Sequence, residues 1–142
     1  MQQLPTPDEL LDKMAEQLSA LLKDKAIDEP LMVGIHTGGV WVAKRLHQQL
    51  GLDEPLATLD ISFYRDDFSR IGINPEVKPS ELPPDVDDRH IILVDDVLHT
   101  GRTIRAAMNE LFDFGRPASI ILVCMVDRSG RELPLQADIS GM

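Results

Sequence analysis

The chain has 142 residues, 43% of them hydrophobic, with 24 acidic against 14 Lys and Arg side chains and a formal net charge of −10. Such a length and apolar content suit one domain with a single core and argue against disorder, while the acidity opposes generic nucleic-acid binding, which needs clustered positive charge. A single cysteine, Cys124, excludes a disulfide framework within the chain. No apolar run approaches membrane-spanning length and no basic-then-apolar leader opens the sequence, so a cytoplasmic, reducing setting is expected.

Thr6-Pro7-Asp8-Glu9 is a capping-box start with proline at the first helical position, and Leu10, Leu11, Met14, Leu18, Leu21 and Leu22 then recur at helical spacing. The pattern predicts an amphipathic helix over 7–25. Leu31 to Ile35 reads as a buried strand, His36-Thr37-Gly38-Gly39 as a turn, and Val40 to Leu50 as a helix stopped by Gly51. Ala57 to Phe63 alternates around Leu59, Ile61 and Phe63 and predicts a strand. Residues 64–88 lack a period and hold Gly72, Pro75, Pro79, Pro83 and Pro84, which reads as a long flexible loop of the kind that serves as a lid or binding arm. Ile91 to Val94 is the next strand, Thr103 to Phe114 a helix closed by Gly115, and Ile120 to Val126 the last clear strand. Strands alternating with helices predict an α/β domain over 1–142 whose mostly parallel central sheet is flanked by helices.

Ligands of such sheets sit beyond the carboxyl ends of the strands. Four loops leave those ends: His36–Gly39, Tyr64–Asp67, Asp95–Thr103 and Asp127–Gly130. The third is the most specific. Asp95 and Asp96 follow the strand, then Thr100-Gly101-Arg102-Thr103 leads into a helix, whose N-terminal amides and dipole make an anion site. Carboxylates beside such a site would repel a bare phosphate. They fit a ligand that also carries hydroxyls or a divalent cation, as a phosphorylated ribose does. No Gly-Lys-Ser/Thr follows, so the turn is not a Walker A loop. In the first loop, Gly38 and Gly39 let the backbone approach a pyrophosphate closely. Arg65 could neutralise a leaving pyrophosphate, or simply pair with Asp66 or Asp67. The fourth loop could read a flat base through backbone groups, or be a plain exit loop. His36 and His99 lie in candidate loops, where a phosphate contact stays open. His47 and His90 read as surface residues, Cys124 as an inert core thiol, and Trp41 and Met108 as core or interface residues.

Val94-Asp95-Asp96-Val97-Leu98-His99-Thr100-Gly101-Arg102-Thr103 resembles the phosphoribosyl pyrophosphate loop of type I phosphoribosyltransferases. Taken in order with Gly34 to Gly39, Phe63 to Asp67, Phe114-Gly115-Arg116-Pro117, Val126-Asp127-Arg128 and Arg131-Glu132-Leu133-Pro134, it is similar to the PyrR family from about residue 30 onward. The resemblance implies a type I phosphoribosyltransferase fold with a small hood over 127–142, a homodimer or larger homo-oligomer, and the reaction of uracil with phosphoribosyl pyrophosphate to give UMP and pyrophosphate. It further implies UMP-dependent binding of leader RNA. By the same resemblance, Arg65, Asp95 and Asp96 are catalytic. Thr37, Gly38, Gly39, Val97, Leu98, His99, Thr100, Gly101, Arg102, Thr103, Val126 and Arg128 bind substrate, and Asp95 and Asp96 hold Mg2+ partly through the ligand.

Three positions depart from the family pattern. His36 and Gly38 stand where members carry a basic residue and an arginine. Gly38 brings no cation to a pyrophosphate, so slow turnover is expected, and an arginine there is expected to raise it. The first helix holds only Lys13, Lys23 and Lys25 among several acids, and although Arg131 matches a basic family position, Gln136 and Met142 do not. RNA therefore stays an open partner. Members also continue past Gly141 with a segment that helps close the base pocket, so the hood is expected to be incomplete. The alternative to an enzyme is a regulator that senses UMP or phosphoribosyl pyrophosphate without turnover. A purine-specific transferase fits the hood sequence less well.

Overall fold

The structure, a computed structural model, describes residues 4–61, 82–83 and 86–142. Helix α1 (Pro7–Asp24) begins as the capping signal predicts, with the Glu9 amide donating to Thr6 Oγ1 at 3.1 Å. Strand β1 (Leu31–Ile35) leads into helix α2 (Gly38–Leu50), which ends on Gly51 at φ +62°, the left-handed cap that glycine adopts without Cβ strain. Strand β2 (Ala57–Leu59) is shorter than the predicted 57–63. Ile61 is buried just beyond it, and residues 62 and 63 lie outside the described residues. Strand β3 (His90–Leu98), helix α3 (Arg102–Asp113) and strand β4 (Ser119–Asp127) follow. A two-residue strand β5 (Ile139–Ser140) completes the order.

The strands form one parallel sheet in the order β2-β1-β3-β4-β5. The apolar runs have no polar alternation because both faces are covered. Leu31, Val33, Ile35, Ile91, Leu93, Leu122 and Cys124 meet Ile104, Ala107 and Leu111 of α3 in one layer. Met32, Ile92, Val94, Ile121 and Val123 meet Leu11, Met14 and Leu18 of α1 and Val42, Ala43 and Leu46 of α2 in the other. Adjacent strand residues thus feed opposite layers, the period of two that a pleated strand imposes. Leu11, Met14, Leu18 and Leu46 are fully buried, each contributing on the order of 2 kcal/mol by apolar transfer.

Three boundaries correct the sequence reading. Strand β3 runs on to Leu98, so Asp95 and Asp96 belong to the strand and not to the turn after it. The ladder explains this: Asp95 pairs with Cys124, Val97 with Val126 and Leu98 with Asp127, and β4 supplies partners across the acidic residues. Helix α2 starts at Gly38 and not Val40, so the turn between β1 and α2 holds only His36 and Thr37. Within 127–142, Ile139 and Ser140 return as β5 beside Val123 and Cys124, so the tail is part sheet edge. Helix α1 pins that edge: Lys13 Nζ donates to Gly141 O at 3.3 Å, and a Cβ on Gly141 would lie 2.5 Å from Met125 O and 3.1 Å from Met14 Sδ.

The expected loop 64–88 lies mostly outside the described residues. Its end is anchored: Val86 is fully buried, and Asp87 Oδ1 and the Asp88 amide bond the Arg116 amide and carbonyl at 2.6 and 2.9 Å. His47 and His90, read as surface residues, are half-buried. The His47 ring bonds Glu54 O and the His90 ring bonds Ser119 Oγ, each at 2.7 Å. Such partners offset the cost of partial burial.

Candidate functional site

The carboxyl ends of β1, β3 and β4 lie side by side because these strands are neighbours in a parallel sheet. Three of the four candidate loops therefore meet. The remaining one, Tyr64–Asp67 with Arg65, lies outside the described residues.

Asp95 is 6% exposed, and its Oδ1 accepts the Asp96 amide at 2.8 Å. Asp96 is exposed, and its Oδ1 accepts the Val97 amide at 2.8 Å. The two carboxylates occupy opposite faces of the strand end. Asp95 pairs in register with Cys124, which belongs to the layer under α3, whereas Asp96 touches Gly38 at the start of α2. Val97 is 42% exposed at the same edge, an apolar side chain left open beside a carboxylate.

Thr37 is exposed, Gly38 half-buried and Gly39 buried. The peptide between His36 and Thr37 is cis, and the His36 amide donates to Leu59 O at 2.9 Å, tying this turn to β2. A Cβ on Gly39 would lie 2.5 Å from Val94 O and 3.0 Å from Asp95 Cα, so only glycine lets the start of α2 cross the end of β3 this closely.

The turn from β3 to α3 is short. Leu98 is buried, His99 and Thr100 are half-buried, Gly101 caps α3 at φ +96°, and Arg102 and Thr103 are exposed on its first turn. The Arg102 amide donates to Thr100 Oγ1 at 3.2 Å. The first amides of this 12-residue helix point back to the turn, as at any helix start.

The segment after β4 interlocks with that turn. The Arg128 amide donates to Leu98 O at 2.8 Å, and the Glu132 and Leu133 amides both donate to Thr100 O, at 2.9 and 3.1 Å. Arg102 Nε donates to Glu132 Oε1 at 2.7 Å in an exposed pair. A Cβ on Gly101 would lie 3.3 Å from Leu133 Cβ and from Leu135 Cδ1, and one on Gly130 would lie 2.8 Å from His99 Nε2. Val126 is half-buried and Arg128 exposed at the mouth of this pair of loops. The structure thus brings Thr37, Gly38, Gly39, Asp95 to Thr103, Val126 and Arg128 to one end of the sheet.

Arg131 carries more than the sequence reading gives it, whereas Cys124 is the inert core thiol expected. The sequence marks Arg131 only as a basic position, yet its guanidinium bonds Leu135 O, His99 O, Arg128 O and Asp127 Oδ1. A loop arginine has no periodicity, so no sequence signal could separate an internal clasp from an exposed cation. Cys124 is fully buried as expected, and burial, reinforced by the carboxylates of Asp127 and Asp95, pushes its thiol from its ordinary 9.0 to about 12. That makes it a poor nucleophile. Among the described residues, no group of three or more His, Cys, Asp or Glu side chains forms a metal cluster, and no helix is long and apolar enough to cross a membrane.

A family profile described as the phosphoribosyl transferase domain matches residues 6–142. Among curated proteins, the chain is 59% identical over 138 residues to the bifunctional protein PyrR of Pseudomonas paraeruginosa, covering 97% of this chain and 81% of that one. It is 57% identical over 136 residues to the bifunctional protein PyrR of Nitrosococcus oceani, covering 94% and 77%. Among solved structures, a hypoxanthine-guanine phosphoribosyltransferase from Bacillus anthracis superposes with a TM-score of 0.72 at 15% identity, covering 100% of this chain and 83% of that one. At that identity the likeness is one of fold.

Proposed function

This chain belongs to the phosphoribosyl transferase family, among the PyrR proteins, and from that premise we propose that it is a regulator of pyrimidine nucleotide biosynthesis with uracil phosphoribosyltransferase activity. Uracil and phosphoribosyl pyrophosphate give UMP and pyrophosphate. The observation that carries the reading is a carboxylate at a strand end, Asp96, set between Gly38 at the start of α2 and the N-terminus of α3. An anion site and a hydroxyl-binding carboxylate stand one short turn apart, which suits the two ends of a ribose phosphate.

Cleavage at the anomeric carbon leaves positive charge on the sugar and negative charge on pyrophosphate, and it needs no covalent nucleophile. Asp96, with Asp95 behind it, holds the ribose hydroxyls and favours the cationic sugar. The amides and hydroxyls of Leu98 to Thr103 hold the 5′-phosphate. Thr37, Gly38 and Gly39 turn their backbone toward the pyrophosphate, and Arg65 meets its growing charge. Val97, Val126 and Arg128 border the base. Among the described residues, Asp95 and Asp96 belong to no cluster of three or more His, Cys, Asp or Glu side chains, which fits magnesium carried in by the donor's own oxygens better than a protein cage. When bound, that ion would neutralise the leaving group.

A coupled assay for UMP formation from uracil, phosphoribosyl pyrophosphate and Mg2+ tests the reading, and a chain that binds the donor but forms no UMP with uracil would overturn it. A second reading, a sensor of UMP without turnover, is favoured by one observation: Gly38 offers the pyrophosphate no cation. In that case UMP raises the melting temperature although none is produced. A gel shift of leader RNA across a salt series reads the regulatory arm, because true phosphate contacts give a steep salt slope. Self-association is read by sedimentation.

A further inference from the structure

We propose that Arg131 is a positioning residue: it fixes the segment after β4 against the turn after β3, and so sets the spacing between the base end and the phosphate end of a bound nucleotide. The inference rests on the phosphoribosyltransferase reading above. Its geometric basis is the guanidinium itself. Nε donates to Leu135 O at 2.8 Å, Nη1 to His99 O at 2.5 Å and to Arg128 O at 3.3 Å, and Nη2 to Asp127 Oδ1 at 2.7 Å. These four bonds engage four of the five N–H groups that a guanidinium has. They reach the end of β4, both limbs of the loop that follows it, and the phosphate-side turn. The pair with Asp127 is about three-quarters buried on the arginine side, with 24% of that side chain exposed.

The surrounding contacts make the clasp a coupling and not a local staple. Arg128, Glu132 and Leu133 amides already bond carbonyls of the phosphate-side turn, and at Gly101 and Gly130 the two loops lie too close for an unstrained Cβ. Those contacts fix the loops pairwise. Among the described residues, Arg131 is the one that joins His99 O to Leu135 O and Asp127 Oδ1 through one rigid plane. A lysine keeps the charge but cannot hold these acceptors at once, because it lacks the planar fork. An RNA phosphate would have to compete with partners already in place, so the role is internal.

The test compares the full chain with Arg131→Lys and Arg131→Ala by calorimetry, using UMP and ribose 5-phosphate as probes. UMP spans both ends of the site and ribose 5-phosphate only one. UMP affinity is expected to fall at least about tenfold in both variants while ribose 5-phosphate stays within about threefold, and leader RNA binding at saturating UMP stays unchanged in the lysine variant. Equal losses for the two probes, or no loss, overturn the proposal. So does a variant that weakens RNA and leaves both small ligands alone, which would make Arg131 an RNA contact. The lysine variant keeps the cation beside Asp127 and carries the test should the alanine variant fail to fold. A parent chain that binds neither probe overturns the phosphoribosyltransferase reading itself and this proposal with it, whereas a parent that binds both and variants with an unchanged UMP-to-ribose 5-phosphate ratio sink only the role of Arg131.

Discussion

Gly38 lies directly against the carboxylate of Asp96: a Cβ built on Gly38 would overlap Asp96 Oδ2 and stand 2.5 Å from Cγ and 3.0 Å from Cβ of the same side chain. The glycine is therefore the partner surface of the exposed acid, and the space a family arginine would need is filled by Asp96. Relief requires Asp96 to rotate, which breaks its bond from the Val97 amide at 2.8 Å.

This relationship reverses one expectation. Gly38→Arg should lower turnover and not raise it, because the added side chain evicts Asp96 before its cation can help. Gly38→Ala suffices to show it. Its affinity for phosphoribosyl pyrophosphate with Mg2+ should fall about tenfold, on the order of 1.4 kcal/mol, with little change in melting temperature. Calorimetry checks the affinity, and a Gly38→Arg variant faster than the parent would refute the explanation.

The two acids should separate in stability measurements. Asp96 is exposed, so Asp96→Ala should weaken the donor strongly and leave urea unfolding within about 0.5 kcal/mol of the parent. Asp95 is 6% exposed and accepts the Asp96 amide, so Asp95→Ala should also cost about 1–3 kcal/mol of stability. Equal stability of the two variants would contradict the division.

Gly101 is held at φ +96° with Leu133 and Leu135 3.3 Å from the place of a Cβ. Gly101→Ala combines a backbone that L-residues avoid with a contact tighter than normal, so it should destabilise the chain by about 1–2 kcal/mol. If the amides of that helix start hold the 5′-phosphate as proposed, affinity for ribose 5-phosphate should fall with it, since Gly101 caps the helix.

Cys124 gives a pH signature. Its folded thiol titrates near 12 against an ordinary 9.0, so the folded chain holds the proton longer than the unfolded chain. The stabilising contribution is complete below pH 9 and is lost as pH rises from 9 toward 12, at up to about 1.4 kcal/mol per pH unit. Urea unfolding of the parent against Cys124→Ala should show that difference narrowing over this range. Alkylation at pH 8 should be slow until the chain unfolds.

Much was legible in the sequence because it depended on local periodicity and on residues with one conformational use. The leucine spacing of α1, the Thr6 cap, the glycine stop at Gly51 and the unbroken apolar runs of β1, β3 and β4 each state a backbone preference that packing then reinforces. The acidic pair and the turn into α3 were legible as a candidate site for the same reason. Where strands end was not, because that is decided by the neighbour: β4 continues β3 through Asp95 and Asp96, and Val123 gives the two-residue β5 a ladder it could not form alone. The opposite facing of the two aspartates, the fit of Gly38 to Asp96 and the inward engagement of Arg131 are likewise properties of surfaces brought together from distant parts of the chain. Side-chain identity determined which chemistry was present, whereas which carboxylate faces a ligand and which cation is already engaged were decided by tertiary contact, because distances between remote residues are not written in their spacing along the chain.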